Sequence, residues 1–238
     1  MTKLYFQLMK FSVSEENYIK SIYHLQQQGG VVSTNDLASE LQTKAASVTD
    51  MLKKLNGKNL LNYERYQGFT LSDEGTKVAL GIVRKHRLWE YFLVHELEFG
   101  WDEVHDIAEE LEHISSPKLV EKLDSYLSHP KFDPHGDPIP DINGKMELRK
   151  QVNLIDLPLD LEAEVSAVGS QSTELLELLK HKNIGIGTVL TVLRKFTFDN
   201  SLEVKVQHFP PFSISQQLAQ TLFLKPLYGS TPAGSLSK

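Results

Sequence analysis

Apolar residues recur at helical spacing over the first quarter of the chain. In SEENYIKSIYHLQQQ they fall at Tyr18, Ile19, Ile22, Tyr23 and Leu25, which predicts a helix that Ser14 caps and Gly29-Gly30 ends. TNDLASEL puts Leu37, Ala38 and Leu41 on one face of a second helix, with Thr34 or Asn35 at its cap. After the link QTK, Val48, Met51, Leu52 and Leu55 mark a third helix within AASVTDMLKKLNGKNL. The period then changes. LLNYERYQGFTLSDEG alternates about a Gln67-Gly68 turn, the pattern of a two-stranded hairpin.

Two longer amphipathic stretches follow. GTKVALGIVRKHRLWEYFLVHEL is apolar at Val78, Ile82, Leu88, Phe92 and Leu93, and WDEVHDIAEELEHIS comes next, then a third stretch, PKLVEKLDSYLSH. Apolar faces this wide need a partner surface, and dimer packing is one candidate. HPKFDPHGDPIPDINGK is dense in Pro, Gly and Asp and reads as a linker. Beyond it LEAEVSAVG, TVLTVLRKFTF and LEVKVQHF read as strands and STELLELLKHK as a short helix, together a small β-barrel of about 70 residues. The tail YGSTPAGSLSK reads as mobile. The expected fold is therefore mainly α with a small β domain.

Composition narrows the partners. A chain of 238 residues has room for two or three small domains. No apolar run approaches the roughly 18–20 residues that span a bilayer, so no membrane partner is expected. The N-terminus has one short apolar patch without a small-residue cleavage site, which predicts no export signal and a cytoplasmic protein. There is no cysteine, so disulfides and thiolate metal sites are excluded. Net charge is −6, so a nucleic-acid partner must meet a local basic surface.

Helix, short turn, helix and hairpin wing is the layout of a winged helix-turn-helix, whose second motif helix enters the major groove. Here that helix would present Thr43, Lys44, Ala46, Ser47, Thr49, Asp50 and Lys53, with Lys54 beyond. Small residues at its start allow close approach to base edges, while hydroxyls and lysines suit phosphates. From Glu40 to Tyr66 five basic residues face three acidic ones, the right sign for DNA on an acidic chain. A winged helix used for protein contacts, or a plain three-helix core, has the same pattern.

The stretch VHDIAEELEH carries a second kind of chemistry. At about 100° per residue, with His105 at zero, Glu109 falls near 40°, His113 near 80° and Glu112 near 340°. Val104, Ile107, Ala108, Leu111 and Ile114 share another arc, and Asp106 and Glu110 a third that suits solvent. The His/Glu stripe thus borders the buried face, where carboxylates cost free energy unless paired or bound to a cation. His86 and Glu90 make another His/Glu pair at i, i+4. Oxygen and imidazole donors without sulfur suit Mn²⁺, Fe²⁺, Co²⁺ or Zn²⁺. A surface of intrahelical His–Glu pairs remains the alternative.

Taken together, EENYIKSIYHL, the helix-turn-helix, RKHRLWEYFLVHEL, VHDIAEELEH, FDPHGDPIP and a C-terminal barrel resemble the diphtheria-toxin-repressor/manganese-transport-regulator family. The likeness runs through residues 12–226 in order. It implies a winged helix-turn-helix DNA-binding domain over 12–75, a helical metal-binding and dimerisation domain over 76–147, and an SH3-like domain over 148–228. It also implies a homodimeric, metal-dependent repressor of metal-uptake genes, acting on palindromic double-stranded operator DNA without a small organic substrate.

Carried over residue by residue, the resemblance assigns a primary metal site to Asn17, His86, Glu109, Glu112 and His113. A secondary site falls on Glu90, His105, Asp133 and His135, with Gln171 or Glu174 from the barrel. Glu109 stands where iron-responsive members tend to have Cys, so Mn²⁺ is the expected cofactor, with Fe²⁺ the alternative and Zn²⁺ or Co²⁺ able to bind in vitro. Asn17 departs from the Asp or Met of many members; either its amide oxygen coordinates, or Glu16 or a water substitutes, or activation is weaker. The rival readings are a His/Glu metalloenzyme, for which no HExxH or nucleophile motif is present, and a metal-independent winged-helix adaptor.

Overall fold

The computed structural model describes residues 11–64 and 68–227. Gln67 of the expected hairpin turn and the YGSTPAGSLSK tail lie outside the described residues. The chain opens with helices α1 (Val13–Gly29), α2 (Thr34–Glu40) and α3 (Ala45–Gly57), then strands β1 (Leu61–Glu64) and β2 (Gly68–Leu71). The strands pair antiparallel, Leu61 opposite Leu71 and Glu64 opposite Gly68.

Two helix starts differ from the sequence reading. Ser12, not Ser14, caps α1: its side chain accepts the Glu15 N–H while the Glu15 carboxylate accepts the Ser12 N–H. Ser33 and Asp36 make the same reciprocal box on α2, which leaves Thr34 and Asn35 inside the first turn. In each case the serine has an acid three residues on, so two orphan donors are satisfied rather than one.

The core of this region gathers Ile19, Ile22, Leu37, Val48, Leu52, Leu55, Leu60 and Phe69, all essentially buried. At about 1.5–3 kcal/mol per buried side chain, these contacts hold α2 in place, a helix too short to persist alone. The wing is tied in by backbone as well. Val32 N–H donates to Phe69 O, and Phe69 N–H donates back to Val32 O. A Cβ on Gly68 would lie 2.2 Å from Val32 O at a φ of +139°, so glycine is what lets the two backbones meet.

Three further helices follow: α4 (Asp73–His95), α5 (Val104–Leu111) and α6 (Pro117–Tyr126). α5 stops sooner than the VHDIAEELEH pattern suggests, because Glu112 and His113 lie in a turn. Glu112 N–H still donates to Ala108 O at 2.8 Å, and the next bond tightens to Ile114 N–H on Leu111 O.

The C-terminal region, where a small β-barrel was expected, is a six-stranded antiparallel sheet. It comprises β3 (Val152–Asn153), β4 (Glu162–Val168), β5 (Val189–Lys195), β6 (Leu202–Val206), β7 (Phe212–Ile214) and β8 (Leu222–Pro226). The hydrogen-bonded order is open, β3-β8-β4-β5-β6-β7. Helices α7 (Thr173–His181) and α8 (Gln216–Gln220) accompany it. Leu154, Val165, Leu176, Leu179, Val192, Val204 and Leu224 are among its buried residues.

Contacts between residues separate two compact units. One holds the chain up to Trp89 with Ala108–His129 and Ile139–Met146; the other holds Glu90–Ile107, Pro130–Pro138 and the chain from Glu147 on. Within the second unit, the Pro- and Gly-rich stretch is not the solvated linker its composition suggests. Asp133 Oδ1 accepts the N–H groups of His135 and Asp137 at 2.8 and 2.9 Å, closing a tight turn. His135 O then accepts Val168 N–H at 3.0 Å, docking the turn on β4. Gly136, at φ +89°, lies so close that a Cβ would sit 2.1 Å from Ser166 O. Among the described residues no helix is long and apolar enough to cross a membrane.

Candidate metal centre

In the first unit, His86 on α4, Glu109 on α5 and Glu112 just beyond α5 each offer a ligand atom within 4.8 Å of the others. His86 Nδ1 lies 2.8 Å from Glu112 Oε2 and 3.8 Å from Glu109 Oε1. Glu112 is fully buried and His86 nearly so. His113 joins from the same turn, with Nε2 3.9 Å from Glu112 Oε1. Its other nitrogen, Nδ1, is 2.6 Å from Glu16 Oε2, and Glu16 also pairs with Lys85 at 3.3 Å. A carboxylate only accepts, so Nδ1 is the donor to Glu16 and Nε2 is the nitrogen on the side of Glu112.

Two residues of α1 are of note. Asn17 Oδ1 is buried and accepts no hydrogen bond, the condition of an oxygen that lacks its partner. Lys20, one turn on, lies on the same helix face and was not anticipated from the sequence. Its Nζ is 2.5 Å from Glu109 Oε1 and 2.7 and 2.8 Å from the two oxygens of Glu112. Burial works to raise the Glu112 carboxyl, but the His86 hydrogen bond and the Lys20 ammonium outweigh it and hold its pKa below the usual range. Glu112 is thus an anion in a buried place.

The second unit holds a separate cluster. Glu90 on α4 and Asp133 and His135 of the docked turn bring three ligand atoms within 4.8 Å, all three residues being buried. His135 Nε2 is 2.8 Å from the Trp101 carbonyl oxygen, an acceptor, so Nε2 carries a proton and Nδ1 turns toward the carboxylates. Nδ1 is 3.7 Å from Glu90 Oε2, and the Trp101 ring stacks on the imidazole at 5.8 Å. Burial opposes a charge on this ring, yet the neighbouring Glu90 and Asp133 carboxylates raise its pKa. The field that favours a proton there also favours a metal cation.

His105, half-exposed, places Nδ1 3.6 Å from Glu90 Oε1. The two barrel candidates are not brought in. Gln171 donates to Asp137 Oδ2 at 3.1 Å, and Glu174 is exposed in the first turn of α7, outside both clusters. Both clusters offer oxygen and imidazole only, so the donor chemistry fits a divalent first-row ion and not a thiophilic one. Asp106 and Glu110, placed on the solvent side by the wheel, are exposed.

The helix expected to read DNA is α3. Lys44 is its N-cap without a side-chain cap, so the first N–H groups remain available to an anion. Lys44, Ala46, Ser47, Thr49, Asp50 and Lys53 are exposed, and Thr43 is partly so. The Thr49 hydroxyl donates to Ala45 O at 2.9 Å, and Lys53 pairs with Asp50 at 3.1 Å. Two further lysines at the far end of α3 turn inward. Lys54 and Lys58 meet the buried Glu15 at 3.3 and 2.5 Å.

Comparison with known proteins agrees with this division. Residues 10–69 match the model for the iron dependent repressor N-terminal DNA binding domain, and residues 72–141 match that for the iron dependent repressor metal binding and dimerisation domain. The iron-dependent repressor IdeR of Mycobacterium leprae is 29% identical over 166 residues, 67% of this chain and 71% of that protein. The alignment with IdeR of Mycobacterium tuberculosis, at 30% identity, covers 52% of this chain and only 54% of that protein's length. The HTH-type transcriptional regulator MntR of Oceanobacillus iheyensis is 32% identical over 120 residues, 50% of this chain and 81% of that protein. Among solved structures, a manganese-dependent transcriptional repressor in complex with manganese superposes with a TM-score of 0.79 at 31% identity, covering 90% of this chain and all of that one. ScaR with bound Cd²⁺ gives 0.76 at 30% identity, covering 90% and 99%. With both helical regions matched in order, the chain belongs to the diphtheria-toxin-repressor/manganese-transport-regulator family of metal-dependent repressors.

Proposed function

We propose that this chain is a cytoplasmic, homodimeric, metal-dependent transcriptional repressor that binds palindromic operator DNA and responds to Mn²⁺. The observation that carries the metal is the all-oxygen-and-imidazole donor set around Glu109, with Glu112 held ionised in a buried position. His86, Glu109, Glu112 and His113, with Asn17 from α1, would hold the activating ion; Glu90, Asp133, His135 and His105 would hold a second. A divalent ion supplies there a positive charge shared between helices that otherwise meet through side chains alone.

The residues of the chain do the rest. Glu16 fixes the His113 ring, and Asn17 offers an uncharged oxygen from the helix that packs behind α3. Joining α1 to α4 and α5 orients α3, and two copies so oriented present two reading helices to successive major grooves. Lys44 and Lys53 meet phosphates while Ala46 and Ser47 lie at the base edges. Fe²⁺ is the second reading for the cofactor, favoured by the iron-dependent repressors among the relatives.

The test is operator binding across a concentration series of Mn²⁺, Fe²⁺ and Zn²⁺, with wild type and the Glu109→Ala/Glu112→Ala double variant. Binding should require metal, vanish on chelation and be lost in the double variant. A mobility shift indifferent to chelator and to both substitutions would refute the proposal. A shift with Fe²⁺ at lower concentration than Mn²⁺ would leave the repressor reading and change the cofactor.

A further inference from the structure

Lys20 is a buried cation at a place where carboxylates gather. Its residue surface is 8% exposed, and its ammonium touches one oxygen of Glu109 and both oxygens of Glu112. Two of these contacts are hydrogen bonds, to Glu109 Oε1 and Glu112 Oε2, and the second Glu112 oxygen, at 2.7 Å, is an ion-pair contact alone. The contacts reach from α1 to residues 89 and 92 positions later in the chain. They involve the same two carboxylates that, with His86, form the ligand cluster of the first unit.

We propose that Lys20 is the resident counter-cation of this centre, and that a divalent metal ion must compete with it for Glu109 and Glu112. Lys20 thereby sets the metal concentration at which the centre fills. The inference rests on the metal reading proposed above and adds the residue that opposes it. Carboxylate oxygens already accepting short ammonium bonds are poorly placed to coordinate as well. An ammonium and a divalent ion a few ångströms apart repel strongly even at the effective dielectric of a protein surface. The flexible four-carbon stem gives Lys20 a way out. While it stays, it neutralises the otherwise costly burial of Glu112. A neutral side chain at position 20 would leave the empty centre less stable and the filled one untouched, and the difference appears as tighter metal binding.

The experiment uses the full chain, with Lys20→Met and Lys20→Gln beside wild type and Glu112→Gln. Mn²⁺ affinity is read by competition with a fluorescent chelator, and thermal unfolding is followed with and without Mn²⁺. Both Lys20 variants should bind Mn²⁺ about tenfold or more tightly than wild type. Their metal-free midpoints should fall while their Mn²⁺-loaded midpoints match wild type, so the metal-induced rise widens. Gln keeps a hydrogen-bonding head and guards against a folding failure peculiar to Met. Affinity unchanged or weakened in both variants, with Glu112→Gln still weakening binding, overturns the role of Lys20 and leaves the metal centre standing. If Glu112→Gln does not alter Mn²⁺ binding, the centre itself falls and the competition with it.

Discussion

Replacing Glu15 by Gln is a direct test of how α1 is fastened to α3. The Glu15 carboxylate is buried; burial would raise its pKa, but Lys58 and the Ser12 N–H and hydroxyl outweigh that and bring it to about 2 from an ordinary 4.5. A fall of that size corresponds to at most about 3 kcal/mol at neutral pH. Lys58 is a quarter exposed and Lys54 half exposed, so solvent screening brings the expected loss in Glu15→Gln to about 2 kcal/mol. The sign follows from a folded pKa lower than the unfolded one. The stabilisation is complete above about pH 4.5 and disappears as pH falls toward 2. Urea unfolding of the metal-free protein at pH 7, 4.5 and 3 measures the gap between variant and wild type, and amide exchange of α1 and α3 assigns it to this region. The gap should be widest at pH 7 and shrink steadily with acid. A gap under about 0.5 kcal/mol at pH 7, the level of an ordinary surface substitution, would refute the account, as would one unchanged at pH 3.

Three other outcomes follow from named contacts. Gly136→Ala forces a Cβ against Ser166 O at a positive φ; it should destabilise the second unit by about 2 kcal/mol or more and abolish metal binding at the Glu90–Asp133–His135 cluster, read by calorimetry. Glu16→Gln loosens the His113 ring and should weaken Mn²⁺ binding about tenfold, read by competition with a fluorescent chelator. Lys53→Ala should weaken operator binding and lower the salt slope by about one, whereas Lys54→Ala, whose ammonium is turned to Glu15, should lower it by clearly less. Equal salt slopes for the two variants would contradict the inward placement of Lys54.

What the sequence revealed of this fold depended on how local the cause was. The helices of the first unit were legible because Ile19, Ile22, Val48 and Leu52 repeat at 3.6 residues, and periodicity survives any error at the ends. Their true starts were legible too, in Ser12-x-x-Glu15 and Ser33-x-x-Asp36, but a nearer serine or threonine drew the cap inward. The strands β3, β7 and β8 escaped notice because two to five residues carry too little alternation to distinguish them from loop. The turn around His135 could not be read from composition, since its burial depends on β4, about thirty residues further on. The ligand cluster was visible as a stripe of His and Glu on one face. Lys20 was not, because a lysine on a polar helix face looks the same whether it meets water or two distant carboxylates.

The placement of charges on α1 has a mechanical consequence. Counting about 100° per residue, Glu16, Lys20 and Asn17 share an arc near 100–200° from Glu15, and all four lie within six consecutive positions, a rise of about 7.5 Å. Glu15 grips the end of α3 through Lys54 and Lys58, while Lys20 reaches Glu109 and Glu112 and Glu16 reaches His113. The two sets of contacts are thus flanks of one short rod, with no loop or hinge in series between them. A rod of this kind passes on rotation rather than displacement: a few degrees of roll about its own axis, imposed on one flank, arrives undiminished at the other.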